Sequence, residues 1–117
     1  MLPIRLGRKN MNSIYEITGT TLTILLPAEI DHHSSEQVRM ETDRLIRRKN
    51  IRCVLFDFSQ TVFMDSSGIG MLIGRYKTMR FLGGTVAAVR VGERMRRVLA
   101  ISGIDRVIDI YENGQKI

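Results

Sequence analysis

The sequence predicts an α/β domain whose sheet is mixed but mostly parallel, with an antiparallel hairpin at its start and helices packed on it. Apolar runs of strand length alternate with segments of helical periodicity, in the order β-β-α-β-α-β-α-β. Gly19-Thr20 separates the first two runs and is a two-residue turn signal. The third run, residues 51–58, is almost continuously apolar, which is typical of a strand covered on both faces in a parallel sheet.

The first two strands are predicted at 13–18 and 21–27, where β-branched and apolar residues dominate. A helix follows, and Asp31 can cap its start by accepting from the free N–H groups of the first turn. The predicted inner stripe of that helix consists of Val38, Thr42, Leu45 and Ile46.

After the buried strand and a loop, a second helix is predicted over about 66–81. Its predicted inner stripe consists of apolar residues at helical spacing: Ile69, Leu72, Ile73, Tyr76 and Met79. The remaining elements are a strand over 85–90, a helix over about 92–102 that Gly103 ends, and a last strand over 106–111.

Size and composition predict a single domain. The chain has 117 residues, of which 44% are hydrophobic and 26% charged. We expect a poorly ordered leader over 1–10 and one folded domain over 11–117. No apolar run is long enough to cross a bilayer, and the lone Cys53 cannot form an internal disulfide, so we expect a cytoplasmic protein without a membrane partner.

The net charge of +6 raises the alternative of a nucleic-acid binder. The basic residues are scattered, however, and aromatic residues make up only 6% of the chain and do not alternate with them as a base-stacking surface requires. We therefore expect no direct contact with nucleic acid.

The sequence contains no combination of residues typical of an enzyme active site. The two histidines, His32 and His33, are adjacent and lack a third ligand at the spacing of a zinc site. Ser66 or Ser67 could pair with a histidine in an esterase-like site, but the GxSxG elbow is absent. GIGMLIG lies inside a predicted helix and lacks the spacing of a dinucleotide-binding fingerprint. We predict no catalytic residues, metal or cofactor.

The stretch FMDSSGIGMLIGRYK instead indicates a switch. Ser66 lies at the start of the second helix, where several N–H groups lack partners and the helix dipole is positive. A phosphate there would be tolerated by its own helix. Beside Asp65 it would repel a protein that docks on this surface.

Two glycines inside the same helix also call for an explanation. Gly70 and Gly74 share one face, which Ser67, Met71 and Thr78 flank and which lies outside the predicted core stripe. Each interior glycine costs about 1 kcal/mol relative to alanine. Either a docking partner or a neighbouring helix of the same chain comes close there, and the sequence leaves both open.

The combination of FMDSSGIGMLIGRYK with EIDHHSSE upstream and SGI near the end resembles the anti-anti-sigma factors of the STAS domain family, over roughly residues 12–111. Within the family it is similar to the antagonists of anti-sigma F in endospore-forming bacteria. The resemblance implies a monomeric regulator that binds an anti-sigma factor, which is also a serine kinase, and so releases the sigma factor. The kinase would use ATP to phosphorylate the chain and end the binding, and a PP2C-type phosphatase would reverse this.

The resemblance also implies residue roles. It makes Ser66, rather than Ser67, the phosphate acceptor, and it brings Asp31 close to Ser66. The residues that would bind the partner are Asp31, His32, Asp65, Ser67, Gly68, Gly70, Met71 and Gly74. The same fold leaves one alternative, a STAS domain that senses a nucleotide or another small ligand in a pocket of convergent polar groups.

Overall fold

The computed structural model describes residues 4–9 and 13–117. The elements of these residues in chain order are β1 (Ile4–Lys9), β2 (Ser13–Thr18), β3 (Thr21–Leu25), β4 (Glu29–Ile30), α1 (His32–Arg48), β5 (Cys53–Asp57), β6 (Phe63–Met64), α2 (Ser66–Phe81), β7 (Thr85–Val89), α3 (Glu93–Ser102), β8 (Asp109–Glu112) and β9 (Gln115–Lys116). A 3-10 turn, Ile104–Arg106, connects α3 to β8.

The main sheet confirms the predicted fold class. Its strand order is β1-β2-β3-β5-β7-β8-β9, with parallel pairing from β3 through β5 and β7 to β8 and antiparallel pairs at both ends. The predicted hairpin joins β2 to β3, with Thr18 opposite Thr21. Gly19 has φ +62°, a left-handed conformation that glycine adopts without steric cost.

A second, two-stranded sheet lies beside the helix starts and is absent from the sequence prediction. β4 and β6 pair in parallel, with Glu29 opposite Phe63 and Ile30 opposite Met64. We call this pair the β4–β6 ribbon. Each strand has two residues, so neither shows the alternation of apolar and polar side chains from which a strand is predicted.

The core is built from alternate strand residues and from one face of each helix. Leu22 and Ile24 of β3 are fully buried, whereas Thr21 and Thr23, which alternate with them, are only partly covered. The predicted inner stripe of α1 is confirmed, since all four of its residues are buried. None of the helices in the described parts of the chain is long and apolar enough to span a membrane.

The buried face of α2 differs from the prediction. It comprises Gly68, Met71, Leu72, Arg75 and Met79, while Ile69, Ile73 and Tyr76 of the predicted stripe are only partly buried. Met71, which we expected outside the core, has 4% of its surface exposed. The reason is that α2 packs on α1 as well as on the sheet, so a flank of the helix that the sheet does not cover is buried as well.

The leader also differs from the prediction where it is described. Residues 4–9 form β1, which pairs antiparallel with β2. The free edge of β2 offers backbone N–H and C=O groups to any neighbouring segment, so this pairing does not depend on an apolar side-chain pattern. Residues 1–3 and 10 of the predicted leader, and residues 11 and 12 of the predicted domain, lie outside the described residues.

Candidate functional site

Ser66 is the exposed first residue of α2. The preceding Asp65 caps the helix, and its Oδ1 accepts from the backbone N–H of Ser67 at 2.9 Å and of Gly68 at 3.3 Å. The cap therefore uses the carboxylate of Asp65 and leaves the Ser66 hydroxyl free of any hydrogen bond within the described residues. A hydroxyl in this position is open to a modifying enzyme.

Asp31 caps α1 in the same way. Its Oδ1 accepts from the backbone N–H of Ser34 at 2.9 Å, and the Ser34 hydroxyl accepts from the backbone N–H of Asp31 at 3.0 Å, which completes a capping box. The hydrogen bond from the Ser34 backbone N–H lowers the pKa of the Asp31 carboxyl, because it stabilises the ionised form. The prediction that Asp31 begins this helix is confirmed.

The β4–β6 ribbon brings the two helix starts together. Ile30 lies opposite Met64, and the backbone N–H of Asp65 donates to the carbonyl oxygen of Ile30 at 3.0 Å. Asp31 and Asp65 each follow one of these paired residues, so the two caps are neighbours at the carboxyl end of a parallel ribbon. This backbone pairing gives a physical reason why Asp31 lies close to the start of α2, which the sequence implied only through the family resemblance.

Gly68 makes the close approach of α2 to the ribbon possible. It is buried, and a Cβ at this position would lie 2.5 Å from Cγ of Met64 and 3.0 Å from Cγ2 of Ile30. Such distances are too short for carbon atoms in contact. The structure therefore gives Gly68 an internal packing role, in contrast to the expected place on a docking surface.

Gly70 and Gly74 have the opposite environment. Apart from the chain neighbours and the nearby backbone of α2 itself, a Cβ built at either position meets no atom of the described residues within 4 Å. The possibility that these glycines accommodate a neighbouring helix of the same chain is therefore excluded for the part of the chain that is described. They form an open strip along α2, which begins next to Ser66 and which we call the glycine face.

A groove of about 230 Å³ lies between α1 and α2 beside the glycine face. We call it the α1–α2 groove, and its lining residues are His32, Ser35, Glu36, Arg39, Ser67, Gly70, Met71 and Arg75. It joins four of the residues predicted to bind the partner: His32, Ser67, Gly70 and Met71. Met71 is at once part of the core and part of the groove wall, so its thioether is available to a ligand only at the groove surface.

One ion pair connects α1 to α2, and two others lie within α1 beside it. Nε of Arg39 donates to Glu36 at 2.8 Å, and Nη1 of Arg39 lies 3.7 Å from Asp43. Across the helices, Nε of Arg75 lies 3.0 Å from Oδ1 of Asp43. Burial lowers the pKa of Arg75, because the charged guanidinium has lost much of its hydration.

An apolar patch in the segment that precedes Asp65 and Ser66 was missed by sequence reasoning. Val62 and Phe63 are 51% and 50% exposed, and they line a second groove of about 630 Å³ together with Glu29, Met64, Arg94 and Val98. The sequence does contain an indication of this patch: two consecutive large apolar residues stand between the buried strand and Ser66, in a segment otherwise predicted to be a loop.

Clusters of metal-binding side chains are not found in residues 4–9 and 13–117, where no three or more His, Cys, Asp or Glu residues converge. The chemistry available at the site is thus a free hydroxyl, two carboxylates held by helix N–H groups, an open helix face and a groove with two arginines.

Comparison with known proteins places these features in a family. The STAS domain model matches residues 12–117. The anti-sigma F factor antagonist of Paenibacillus polymyxa is 38% identical over 92 residues, which cover 79% of each chain. The anti-sigma-B factor antagonist of Bacillus subtilis (strain 168) is 28% identical over 102 residues, which cover 86% of this chain and 91% of the relative.

Solved structures of one anti-sigma factor antagonist, SpoIIAA, are also similar. The unphosphorylated form superposes with a TM-score of 0.76 at 27% identity, covering 86% of this chain and 89% of that one. The phosphorylated form, described as a Bacillus cell fate determinant, gives a TM-score of 0.69 at 28% identity, covering 86% of this chain and 92% of that one.

Proposed function

The chain belongs to the STAS domain family, and on that premise we propose that it is an anti-sigma factor antagonist whose binding is switched off by phosphorylation of Ser66. The observation that carries the proposal is the position of Ser66: exposed, free of hydrogen bonds within the described residues, and placed between two capped helix starts and the glycine face. The names of the relatives support the regulatory role, and the existence of a phosphorylated SpoIIAA structure supports the modification.

In the unphosphorylated state, an anti-sigma factor docks across the helix starts and the glycine face. The open space at Gly70 and Gly74 lets the partner's backbone approach the axis of α2. On this proposal Asp31, His32, Asp65 and Ser67 form the part of the docking surface next to Ser66, and Met71 contributes through the groove wall. Gly68 acts indirectly, because it fixes the position of α2 on the ribbon.

The partner is at the same time the kinase. It holds ATP, and the Ser66 oxygen attacks the terminal phosphorus, so that an O–P bond to Ser66 forms, the bond to ADP breaks and the hydroxyl proton leaves with a base of the kinase or with solvent. The chain itself supplies no cofactor. Oδ1 of Asp65 and Oδ1 of Asp31 accept from helix N–H groups, and on this proposal the base belongs to the kinase.

The phosphate ends docking by charge and bulk. It adds a charge of about −1.5 to −2 at neutral pH, beside the carboxylates of Asp65 and Asp31. The first turn of α2 contains no acidic residue, and its dipole favours an anion, so the modified chain keeps its fold. A PP2C-type phosphatase then restores the binding form. On this proposal the chain acts as a monomer in the cytoplasm.

The test is peptide mass spectrometry after incubation with the candidate anti-sigma kinase and ATP. We expect one phosphate, located on Ser66, with Ser66→Ala unmodified and Ser67→Ala still modified on Ser66. Phosphate on Ser67, or none from a kinase shown to be active on another substrate, would contradict the proposal.

A second candidate, a STAS domain that senses a small ligand, is favoured by one observation. A cavity of about 280 Å³ on the open sheet face is lined by Ile14, Glu16, Thr18, Thr23, Leu25, Asp57 and Arg90. However, Arg90 already donates to the buried Asp57 carboxylate, with its Nε at 3.0 Å, so these two charged groups satisfy each other. Thermal unfolding with and without nucleotides distinguishes this candidate, since only a ligand-sensing domain is stabilised by them.

A further inference from the structure

We propose that the chain binds the surface of an anionic membrane through the ends of α1 and α2, away from Ser66. The contact is peripheral and reversible: apolar side chains enter the headgroup region of the bilayer, and cations lie against the lipid phosphates. The expectation of no membrane partner came from the lack of a spanning segment, which a surface contact does not need. The proposal does not rest on the phosphorylation of Ser66.

Two large apolar side chains are exposed where α2 ends. Phe81, the last residue of the helix, is 90% exposed, and the following Leu82 is 52% exposed. Both line a groove of about 490 Å³ at the ends of α1 and α2, but neither is covered there. An exposed apolar pair with charged neighbours is typical of a surface that binds a protein or a membrane.

Six cations stand at the same end of the two helices. α1 leads into β5 and α2 into β7, which are neighbouring parallel strands, so both helices end at one edge of the sheet. The two turns are in contact, since the backbone N–H of Thr85 donates to the carbonyl oxygen of Arg52 at 3.0 Å. The six cations, all exposed, are Arg47, Arg48, Lys49, Arg52, Lys77 and Arg80. We call them, with Phe81 and Leu82, the helix-end patch.

The charge of the helix-end patch is not balanced by nearby acids. The sequence has no Asp or Glu in residues 44–56 or 66–92, and the six cations match the whole formal net charge of +6. None of them forms an ion pair with another described residue. The last-turn arginines also suit the negative ends of the helix dipoles, but that effect does not account for Arg52, Lys77 or the apolar pair.

These features favour a membrane over other anionic partners. The groove beside Phe81 contains the carboxylate of Asp43, which would repel an acidic peptide that entered it, whereas a bilayer contacts only the protruding side chains. A nucleic acid would need aromatic side chains on which bases stack, and the patch has one. A second copy of this chain would bring like charges together.

Membrane binding leaves the proposed docking surface accessible. Ser66 and Phe81 are the first and last residues of α2, so they lie about 22 Å apart at 1.5 Å per residue. At physiological salt the Debye length is about 8 Å, so charge near Ser66 has little effect on the helix-end patch. A chain bound by this patch holds Ser66 away from the lipid.

The experiment is flotation of the full chain with vesicles of equal parts phosphatidylglycerol and phosphatidylcholine, and with phosphatidylcholine vesicles alone, at about 0.15 M salt. We expect half-binding to the mixed vesicles at lipid concentrations on the order of 0.1 mM, the range of a single lipid anchor, and none to phosphatidylcholine. Each cation near an anionic surface contributes about fivefold, so Arg47→Gln should weaken binding by about that factor.

Two phenylalanines provide matched variants. Phe81 is in the patch, whereas Phe63 is also exposed but lies before the start of α2, at the other end of the helix. Phe81→Ser should weaken binding to the mixed vesicles by about tenfold or more, because it removes the apolar side chain that enters the bilayer. Phe63→Ser should leave binding unchanged, and circular dichroism checks that both variants are folded.

Three results would overturn the proposal. The first is no binding to the mixed vesicles up to about 1 mM lipid, tenfold above the expected value. The second is an equal effect of Phe81→Ser and Phe63→Ser. The third is binding of soluble poly-glutamate as tight as that of the vesicles and unaffected by Phe81→Ser, which would make the patch a general polyanion surface. None of these results bears on the switch at Ser66, because no kinase is present.

Discussion

Alanine at Gly70 and at Gly74 should make the protein more stable and its docking weaker. Interior glycine costs about 1 kcal/mol relative to alanine in a helix, and a Cβ at either position meets no described atom within 4 Å. Each substitution should therefore raise the free energy of unfolding by up to about 1 kcal/mol, and the double variant by up to about 2 kcal/mol. For a domain of this size, 1 kcal/mol corresponds to a rise in Tm of about 4 °C.

The assay pairs two measurements on the same samples. Urea unfolding reports the stability of the isolated chain, and isothermal titration calorimetry reports its affinity for the anti-sigma kinase. The new methyl groups stand where the partner's backbone is proposed to lie, so each should reduce affinity by about tenfold, which corresponds to about 1.4 kcal/mol.

Gly68→Ala is the matched control on the same helix. Its Cβ would lie 2.5 Å from Met64 Cγ, so this variant should lose stability, by about 1–3 kcal/mol as expected for overpacking. A loss of stability in Gly70→Ala or Gly74→Ala would refute the assigned open environment. A gain in stability with unchanged affinity would refute the docking role of the glycine face.

Three further predictions concern the core, the α1 cap and the switch residue. Met71→Glu should lower the free energy of unfolding by about 3 kcal/mol or more, since it buries a carboxylate in the core. Thermal unfolding should show a large drop in Tm, and an unchanged Tm would contradict the burial of Met71. The pKa of Asp31 is lower in the folded chain than in the unfolded chain, so its contribution to stability is complete above the unfolded-state pKa and is lost as the pH falls through the folded-state pKa. Asp31→Asn should therefore reduce the fall in the free energy of unfolding at acid pH. If the variant and the unaltered chain lose stability in parallel as the pH falls, that result would argue against this cap. Ser66→Asp should unfold at nearly the same temperature as the unaltered chain but bind the kinase weakly, whereas Ser66→Ala should bind without being phosphorylated; an unfolded Ser66→Asp would rule out the idea that the helix start tolerates an anion.

Much of the fold follows from local signals in the sequence. The hairpin turn at Gly19, the cap at Asp31 and the bounds of α2 depend on residues close in sequence, and the structure has them as predicted. The ends of other elements shifted for local reasons. The last strand begins at Asp109 and not at 106, because Ile104–Arg106 forms a 3-10 turn after Gly103.

The unpredicted features depend on contacts between distant segments. The β4–β6 ribbon depends on backbone pairing of residues more than thirty positions apart, and each strand is too short for a side-chain pattern. Met71 and Arg75 are buried because α1 covers a second flank of α2, which the periodicity of α2 alone does not reveal. β1 likewise was not predicted, because it forms by backbone pairing with the free edge of β2.

The candidate site likewise has features that the sequence predicts and features that it does not. The position of Ser66 at a helix start followed from the sequence, and the structure has it there. The closeness of Asp31 came only from the family resemblance until the register of the ribbon supplied a cause. The exposure of Val62 and Phe63 and the burial of Arg75 beside Asp43 escaped prediction, because exposure and burial are properties of the assembled fold.

The most direct measurement of the switch compares the affinity of the anti-sigma kinase for the unmodified chain and for the chain fully phosphorylated on Ser66, by calorimetry at one ionic strength. Like charges brought together at an interface cost several kcal/mol, so we expect the phosphate to weaken binding by about 100-fold or more, with the far-ultraviolet circular dichroism of the chain unchanged. Equal affinity of the two forms, or a loss of affinity accompanied by unfolding, would contradict the proposed switch.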